Sequence, residues 1–403
     1  MKKTIKLAVV AALALGATSA FATNGTNMIG YGAKSRAMGG AGISNFLGAE
    51  SAFANPALIT KSEKNTEVTI GATILMPSVS FETDAAAFTA GGPKQSNDST
   101  AGDGMIPAVA AINKVNDNFA WGVALYGVGG MGVDYRTNNT GTASATSAIE
   151  LRGTNDSLML MRMSIPLAYE THGFSVAVAP VIEYGSLSMS TGAGAPIAGV
   201  TTDIVMGYEI GAAYEIAGIS LGLDYKSAVT HDFKNTFQSA NPTTGATQTK
   251  LDTPAVIGLG LSYNFGANTI ALDYKNISYS SSAGFEDFGW DDQNVFALGY
   301  EYAAKNWAAR LGYNYGASPL PTDVKDNVTF GQAAGSAMAF PAVTESHFTL
   351  GGSYNFNEQM SMDLAYMYAT GSATTDVPTN MGGGSFTATN DQSAFSVALN
   401  YGF

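Results

Sequence analysis

The sequence predicts an all-β protein, a 14-stranded antiparallel transmembrane β-barrel with an N-terminal plug, or hatch, inside its lumen. Three observations predict this fold. Bulky apolar or aromatic residues recur at every second position from residue 66 onward, short and long connections alternate along the chain, and the sequence stops on an aromatic residue, Phe403. Alternation of this kind is typical of strands that turn one face to lipid and the other to a polar lumen.

The first residues have the features of a secretory leader. Lys2, Lys3 and Lys6 precede an apolar run over residues 7–17, and Ala20-Phe21-Ala22 forms an A-x-A cleavage site. We therefore expect cleavage after Ala22 and export of the mature chain. An apolar run of this length is too short to span a bilayer as a helix, which needs about 20 residues.

Composition narrows the classes of function. Charged residues make up 13% of the chain, and there are 47 glycines and no cysteines. Without the three leader lysines, the 19 basic residues become 16 against 32 acidic ones, a balance of −16. Nucleic-acid binding depends on clustered Lys and Arg, so this balance argues against such a partner. The absence of cysteine excludes disulfides and thiolate ligands, and we predict no cofactor and no metal site.

The chain is expected to divide into a signal peptide (1–22), a hatch (23–65) and a barrel (66–403). The hatch is rich in small residues and closes on Asn55-Pro56-Ala57. Proline fixes its own φ and favours an extended residue before it, while asparagine can donate to and accept from buried backbone. This motif predicts a rigid turn against the barrel wall, which either only holds the plug or also couples plug movement to the wall.

The barrel is predicted from the alternation of its connections. Short, turn-like connections fall at 115–118, 170–173, 216–219, 265–268, 303–306 and 356–359, and long polar loops fall near 82–103, 132–152, 190–202, 238–250, 280–290, 321–342 and 372–390. Six short turns and seven long loops separate fourteen strands. A soluble sandwich would have shorter strands of about 5–6 residues and would not need aromatic residues at both ends of each apolar face.

Charges in the strands fall mostly on the predicted inner face. The inward set comprises Arg162, Glu183, Glu209, Glu215, Asp224, Lys226, Asp273, Lys275, Glu301, Arg310 and Asp363. The candidate ligand-binding residues are Leu158, Leu160, Arg162, Lys226, Lys275 and Arg310, because an amphipathic acid needs a cation beside apolar walls. The alternative for each cation is an ion pair with a lumen carboxylate such as Asp224 or Asp273.

Several segments resemble one family of outer-membrane proteins. "GYGAKSRAMGGAGIS" (30–44) and "AESAFANPALIT" (49–60) are similar to the N-terminal hatch of the FadL/TodX transporters of hydrophobic compounds. "LGLDYKSAVTHDF" (221–233), "FGWDDQNVFALGYEY" (288–302) and "AARLGYNYGASPLP" (308–321) match later strands of that family in the same order. The resemblance covers essentially the whole mature chain.

The resemblance implies a monomeric barrel in which the ligand leaves sideways through an inward kink of the third strand. That strand here runs through "FAWGVALYGVGGMG" (119–132), and Gly127, Gly129, Gly130 and Gly132 make its outer end the candidate lateral opening. Glycine weakens strand pairing and marks bulges. The alternative is that these glycines only begin a loop. A Pro-Phe-Gly stretch common after this strand in the family is absent.

The resemblance thus implies passive uptake of long-chain fatty acids or related hydrophobic compounds across the outer membrane of a Gram-negative bacterium. The alternatives are an aromatic-hydrocarbon channel of the same family or a general porin. An enzyme is not expected, since His172, His231 and His347 lack triad or metal-pair spacing. Expected partners are the hydrophobic ligand, outer-membrane lipid and lipopolysaccharide, and the barrel-assembly machinery, which would recognise the C-terminal strand ending in Phe403.

Overall fold

The computed structural model describes residues 23–84, 95–136, 154–190, 199–234, 248–322, 328, 330–381 and 383–403. The predicted leader lies outside these residues, as do most of the predicted loops at 132–152 and 238–250. None of the helices among the described residues is long and apolar enough to cross a bilayer.

Strands dominate the described chain. They are β1 (Thr66–Thr83), β2 (Gln95–Asp98), β3 (Gly104–Lys114), β4 (Phe119–Asp134), β5 (Asn155–Ser164), β6 (Leu167–Thr171), β7 (Phe174–Ser190), β8 (Thr201–Ile216), β9 (Ile219–Lys226), β10 (Val229–Lys234), β11 (Gln248–Thr253), β12 (Val256–Phe265), β13 (Asn268–Ile277), β14 (Gln293–Ala303), β15 (Trp307–Gly316), β16 (Ser346–Asn355), β17 (Met360–Thr370), β18 (Ser372–Asp376) and β19 (Ser385–Gly402).

Helical structure is short and lies mainly in the N-terminal segment and the long loops. The α-helices are α1 (Ala33–Ala37), α2 (Ser51–Ala54) and α3 (Phe330–Ala339), and 3₁₀ turns cover Pro56–Lys61, Tyr279–Ser281, Glu286–Phe288 and Thr379–Met381. The helix α3 falls within the loop predicted at 321–342, where no helix is expected from the sequence.

These strands form fourteen antiparallel crossings. The pairs β2–β3, β5–β6, β9–β10, β11–β12 and β17–β18 are each a single crossing interrupted by a short break, and the barrel closes where β1 pairs with β19, from Glu67↔Gly402 to Thr83↔Phe386. The predicted strand number and closed antiparallel sheet are confirmed. The break between β5 and β6 falls at Pro166, which has no N–H to donate to a ladder.

The wall alternates as the sequence predicts. Outward leucines such as Leu259, Leu298 and Leu350 are about half exposed, whereas inward Glu209 and Asp363 are fully buried. A charge on the lipid face costs about 2–4 kcal/mol near the bilayer midplane, so the charged strand residues occupy the inner face.

The N-terminal segment, residues 23–65, is mostly buried, and its backbone lies directly on glycines of the barrel wall. A Cβ on Gly211, Gly222 or Gly312 would overlap an atom of the segment: Asn55 Oδ1, Ile43 O or Gly39 N. We call Gly211, Gly222, Gly260, Gly299 and Gly312 the glycine seat. Because glycine has no side chain, backbone can approach backbone here.

Candidate functional site

The third crossing, β4, changes character at Tyr126. Up to that residue buried and exposed positions alternate, but every residue from Tyr126 to Val133 is buried. Its pairing with β5 shifts register between Gly127 and Gly129, which leaves Val128 as a bulge. The predicted glycines therefore lie inside a strand that is buried from Tyr126 to Val133, and they do not begin a loop.

Beside the bulge, β4 loses its backbone pairing with β3. The β3–β4 ladder runs only from Ala108↔Tyr126 to Lys114↔Ala120, and the chains meet again where Thr100 N donates to Asp134 O at 2.8 Å. Between these points, among the described residues, no backbone hydrogen bond joins residues 101–107 to residues 127–133. We call this interruption the β3–β4 gap. The side chain of Ile106 occupies it, since a Cβ on Gly127 would overlap Ile106 Cγ2.

The N-terminal segment takes the place of β3 beside the bulge. Residues Asn24–Met28, which we call the arm, pair with β4 at Asn27↔Gly129. Met28 N donates to Val128 O at 3.2 Å, and Gly130 N donates to Thr26 O at 3.1 Å. These bonds satisfy strand groups that would otherwise be buried without partners.

An outer loop holds the arm from the other side. Thr26 N donates to the hydroxyl of Tyr279 at 2.7 Å, and that hydroxyl donates to Asn24 O at 3.0 Å. Tyr279 packs edge-on against Phe285 and Trp290, with ring centroids 5.2 and 5.1 Å away. The arm is therefore fixed between the bulged strand and the aromatic loop between β13 and β14.

The Asn55-Pro56-Ala57 motif forms a hydrogen-bonded turn. Asn55 is extended, Pro56 begins the 3₁₀ turn, and Asn55 Oδ1 accepts from Ala57 N at 3.0 Å. Asn55 Nδ2 donates to Ile43 O at 2.8 Å and to Ala212 O of β8 at 3.0 Å. The motif thus contacts β8, and the contact with β4 comes from its neighbour Phe53, whose ring lies 4.8 Å from that of Tyr126.

Arg162 lies in a buried network of carboxylates. Its guanidinium contacts Glu183 at 2.6 Å and Glu209 at 3.1 Å, and the Tyr126 hydroxyl donates to Glu209 at 2.9 Å. Leu158 and Leu160 next to it are completely buried within the apolar core of the lumen. Arg162 therefore forms ion pairs with lumen carboxylates, as the alternative reading of the sequence predicts. Its partners are Glu183 and Glu209, whereas the carboxylates named as examples were Asp224 and Asp273.

The remaining predicted cations differ in their partners. Lys226 contacts Asp224 at 3.0 Å, and Arg310 contacts Glu301 at 2.5 Å. Lys275 instead donates to two carbonyls of the N-terminal segment, Gly40 O at 3.0 Å and Ile29 O at 3.3 Å. No carboxylate of the described residues lies within 4.0 Å of it.

Two of these lysines border an internal cavity of about 30 Å³. The cavity lies between the N-terminal segment and β9, β12 and β13, and its walls are both polar and apolar: Asn24, Asn27, Met28, Gly30, Tyr31, Ser35, Gly40, Ile43, Ala54, Asp224, Lys226, Val256, Gly258, Lys275 and Ile277. About 10–15 Å³ is enough for one water molecule, whereas ligand pockets span about 300–1,000 Å³. The cavity as it stands has room for a head group and no chain.

Charges on the N-terminal segment anchor it. Arg36 Nη1 donates to Ser396 Oγ at 2.8 Å, and Nη2 donates to Gly30 O at 2.9 Å. Glu50 accepts from the backbone N–H groups of Ala33 and Lys34, both at 3.0 Å, at the start of α1. Burial, reinforced by the nearby Asp363, raises the pKa of Glu50 to about 7.

Sequence reasoning missed several of the residues that organise this site. Tyr126, Tyr279 and Asn27 had no distinguishing local signal, because their roles depend on neighbours more than 80 residues away. Glu183 and Glu209 were assigned to the inner face but not to the site. The signal that could have identified them is that both carboxylates lie on the same predicted inner face as Arg162, a candidate ligand-binding residue.

The comparisons with known proteins agree with this geometry. Residues 7–403 match the family described as "Outer membrane protein transport protein (OMPP1/FadL/TodX)". A long-chain fatty acid transport protein of Salmonella typhi is 25% identical over 87% of each chain.

Solved structures show the same fold. A Pseudomonas aeruginosa FadL homologue aligns with a TM-score of 0.69 at 17% identity, covering 96% of this chain and all of that one. The P. putida toluene transporter TodX aligns with a TM-score of 0.67 at 17% identity, covering 94% of this chain and 99% of that one. With the closed fourteen-crossing barrel and the family match across nearly the whole sequence, this chain belongs to the FadL/TodX family of outer-membrane transport proteins.

Proposed function

We propose that this protein takes up long-chain fatty acids or related hydrophobic compounds passively and releases them sideways through the β3–β4 gap. The observation that carries the proposal is the interrupted ladder between β3 and β4. An apolar solute leaving there passes from the lumen into the bilayer core without crossing the polar periplasmic end. Residues 23–65 act as the hatch that keeps the lumen from being an open pore, which disfavours the general-porin alternative.

The ligand head group is expected at the cavity beside Lys226 and Lys275. Arg162 and Arg310 already have carboxylate partners within hydrogen-bond distance, so a ligand would have to compete with those ion pairs. Among the residues that the structure describes, Lys275 donates to carbonyl oxygens and contacts no carboxylate. An ammonium gains more from a carboxylate than from a neutral carbonyl, which makes Lys275 the strongest of the predicted cations for an acidic ligand.

An uncharged aromatic hydrocarbon is the second candidate. The buried network around Arg162 favours it, because two glutamates already neutralise this guanidinium. A hydrocarbon would need only the apolar wall that Leu158 and Leu160 form with the side chains around the bulge.

The proposal also covers export, membrane insertion and assembly of the barrel. The leader is cleaved after Ala22, the barrel inserts as a monomer among outer-membrane lipid and lipopolysaccharide, and the assembly machinery recognises the strand that ends in Phe403. Outward Phe395, Tyr401 and Phe403 are about half exposed, as such recognition requires.

A disulfide across the gap tests lateral release. The chain has no cysteine, and a Cβ on Gly127 would lie 3.7 Å from the Cβ of Ile106, within the usual disulfide range of about 3.5–4.5 Å. We expect the oxidised double variant Ile106→Cys/Gly127→Cys to lose at least tenfold of oleate uptake in a deletion strain, and reductant to restore it. Each single variant is the control. Full uptake by the oxidised protein would contradict exit through the gap.

The ligand class is tested in the same strain. Complementation of a deletion mutant is measured for oleate uptake and for toluene sensitivity. If the gene changes neither, the transport proposal fails. If it changes only toluene sensitivity, the second candidate replaces the first.

A further inference from the structure

Three buried oxygen atoms without hydrogen-bond partners lie at the outer ends of β2, β4 and β5. They are Asn97 Oδ1, Tyr135 Oη and Asp156 Oδ2, on residues that are 5%, 0% and 3% exposed. Most buried polar atoms in proteins have a partner, because each one left without costs free energy of folding. Three such atoms on neighbouring crossings therefore point to a group that is not part of the protein. We call Asn97, Tyr135 and Asp156 the outer oxygen site.

Backbone pairing brings these three residues together. Val133 pairs with Asp156, and its N–H donates to Asp156 Oδ1 at 3.1 Å. Tyr135 lies two residues beyond Val133, on the same face of the chain, and its N–H donates to Thr154 O at 2.9 Å. Asn97 Nδ2 donates to the carbonyl oxygen of Tyr135 at 3.4 Å. The side chains of the outer oxygen site therefore meet on the inner face, at the outer end of the β3–β4 gap.

The charge of this site has no partner in the described part of the chain. No Lys, Arg or His nitrogen of the described residues lies within 4.0 Å of the Asp156 carboxylate, and Arg136, close by in sequence, pairs with Asp134 at 2.6 Å. A carboxylate buried without a counter-ion is costly, and a cation beside it offsets that cost. The exposed Asp98 and Asp103 flank the break between β2 and β3, where negative charge raises the local concentration of cations.

An ammonium group has the number of donors that the site can accept. A primary ammonium carries three N–H donors and no acceptor. Asp156 Oδ2, Asn97 Oδ1 and Tyr135 Oη are each free to accept one of them, and the bond to the carboxylate is charge-assisted. A hydroxyl group has one donor only. A carboxylate guest has none, and its charge would be repelled by Asp156.

Apolar walls beside the site suit the rest of such a guest. Leu158 lies two residues beyond Asp156 on the same face of β5, and Phe81 pairs with Asn97. Phe81 stacks on Phe386 with ring centroids 5.8 Å apart, and the three apolar side chains are buried. An amine on an alkyl chain or an aromatic ring can therefore place both of its parts here.

We propose that the outer oxygen site binds the primary ammonium group of an amphipathic amine. Asp156 is the specificity-determining residue, since it supplies the negative charge and accepts one N–H, while Asn97 and Tyr135 accept the other two. This inference goes beyond the proposed uptake of fatty acids and hydrocarbons, because it adds a cationic class of ligand. It also assigns that class to a site separate from the cavity beside Lys226 and Lys275.

The test uses the full mature protein in detergent and three guests that share one alkyl chain: decylamine, decanol and decanoate. Asp156→Asn keeps the shape of the side chain and removes its charge. Binding of each radiolabelled guest is measured by equilibrium dialysis at neutral pH, where the amine is charged, with protein-free detergent as the blank. We expect Asp156→Asn to weaken decylamine binding at least tenfold and to leave decanol and decanoate within twofold. Heat-modifiable migration on gels verifies folding.

The matched control is Asp252→Asn, the same change at another buried aspartate. Asp252 Oδ2 accepts from Ala283 N at 2.8 Å and its Oδ1 has no partner, as in Asp156, but it lies on β11, which does not adjoin β2, β4 or β5. The ratio of decylamine to decanol binding should stay at the wild-type value. Tyr135→Phe removes one acceptor that has no partner in the fold, should weaken decylamine binding about threefold, and serves as the second variant if Asp156→Asn does not fold.

Three results would overturn the inference. The first is an unchanged ratio of decylamine to decanol binding in Asp156→Asn. The second is an equal loss of all three guests, which would mean that Asp156 only supports the fold of the outer rim. The third is a wild-type protein that binds decanol and decanoate but no decylamine. A wild-type protein that binds none of the three would instead remove the proposed function itself, so the two failures are distinguishable.

Discussion

Two sides of the same lumen hold the hatch in different ways. On the side of β8, β9, β12, β14 and β15, the hatch lies on the glycine seat, where a Cβ on any of the five glycines would overlap hatch atoms. On the side of β4, a single glycine, Gly129, lies against Thr26 O, and the hatch is held by two backbone hydrogen bonds of the arm and by the tilted rings of Phe53 and Tyr126.

This difference indicates which part of the hatch can move. Because all five seat glycines lie within overlap distance of the hatch, close packing leaves the body of the hatch few alternative positions. Aromatic contacts and a few hydrogen bonds can be exchanged for contacts with a ligand at low cost. We therefore expect the body of the hatch to stay on the seat while the arm and the bulged strand respond.

The largest effect is expected from filling the seat. In Gly222→Val, the new side chain collides with the backbone of Ile43, and overpacking costs about 1–3 kcal/mol or more when backbone must shift. The hatch should leave its position, and planar-bilayer recordings should show large steady currents that the wild type lacks. Gly199→Val is the control, because a Cβ there meets nothing within 4 Å. Wild-type conductance in Gly222→Val would contradict the rigid seat.

The second-largest effect is expected to be a pH dependence of the stability of the docked hatch around Glu50. The pKa of Glu50 is about 7 in the folded protein and about 4.5 ordinarily, so the neutral form is favoured when the hatch is docked. Glu50 therefore contributes at most about 3 kcal/mol to the stability of the docked hatch. This contribution is fully present below about pH 4.5 and is lost as the pH rises toward 7.

Hydrogen exchange of residues 33–50, corrected for the intrinsic pH effect, measures this dependence. Protection should be greater at pH 5 than at pH 8. Glu50→Gln should flatten the difference, and a wild type with equal protection at both values would contradict the assignment.

A smaller effect is expected at the Asn-Pro-Ala turn. Asn55→Ala removes two donated hydrogen bonds and one accepted bond in a fully buried position, at a cost of about 1–3 kcal/mol. Hydrogen exchange should accelerate at Ile43 and at residues 55–61 while the arm stays protected. Asn118→Ala, which removes only exposed hydrogen bonds, provides the comparison. If Asn55→Ala accelerated hydrogen exchange only in the arm, Asn55 would stabilise the arm and not the seated part of the hatch, which would contradict the contrast between the two sides.

The smallest effect is expected from the outer loop. Tyr279→Phe removes the hydroxyl that bonds Thr26 N and Asn24 O, worth about 1 kcal/mol, so exchange in residues 24–28 should rise about fivefold. Exchange at the glycine seat should not change. Tyr263→Phe, at a side chain half exposed on the outer wall, should leave both regions as in the wild type.

Much of the fold follows from local sequence. Period-two alternation decides which face of each strand meets lipid, and turn residues decide where each strand reverses, because both effects act between residues a few positions apart. Asn55-Pro56-Ala57 likewise forms its turn from its own φ restriction and side-chain hydrogen bond. The strand number, the inner face and the turn of the hatch were therefore predictable.

The pairing of the inner charges and the position of the β3–β4 gap depend on contacts between residues far apart in the sequence. Sequence placed Arg162, Lys226, Lys275 and Arg310 on one face, but their partners come from other crossings and from the hatch, so alternation alone could not separate the neutralised Arg162 from the carbonyl-bound Lys275. The glycines of β4 could begin a loop or a bulge. The choice depended on Thr26 and Asn27, which lie about 100 residues earlier and supply the pairing that β3 gives up.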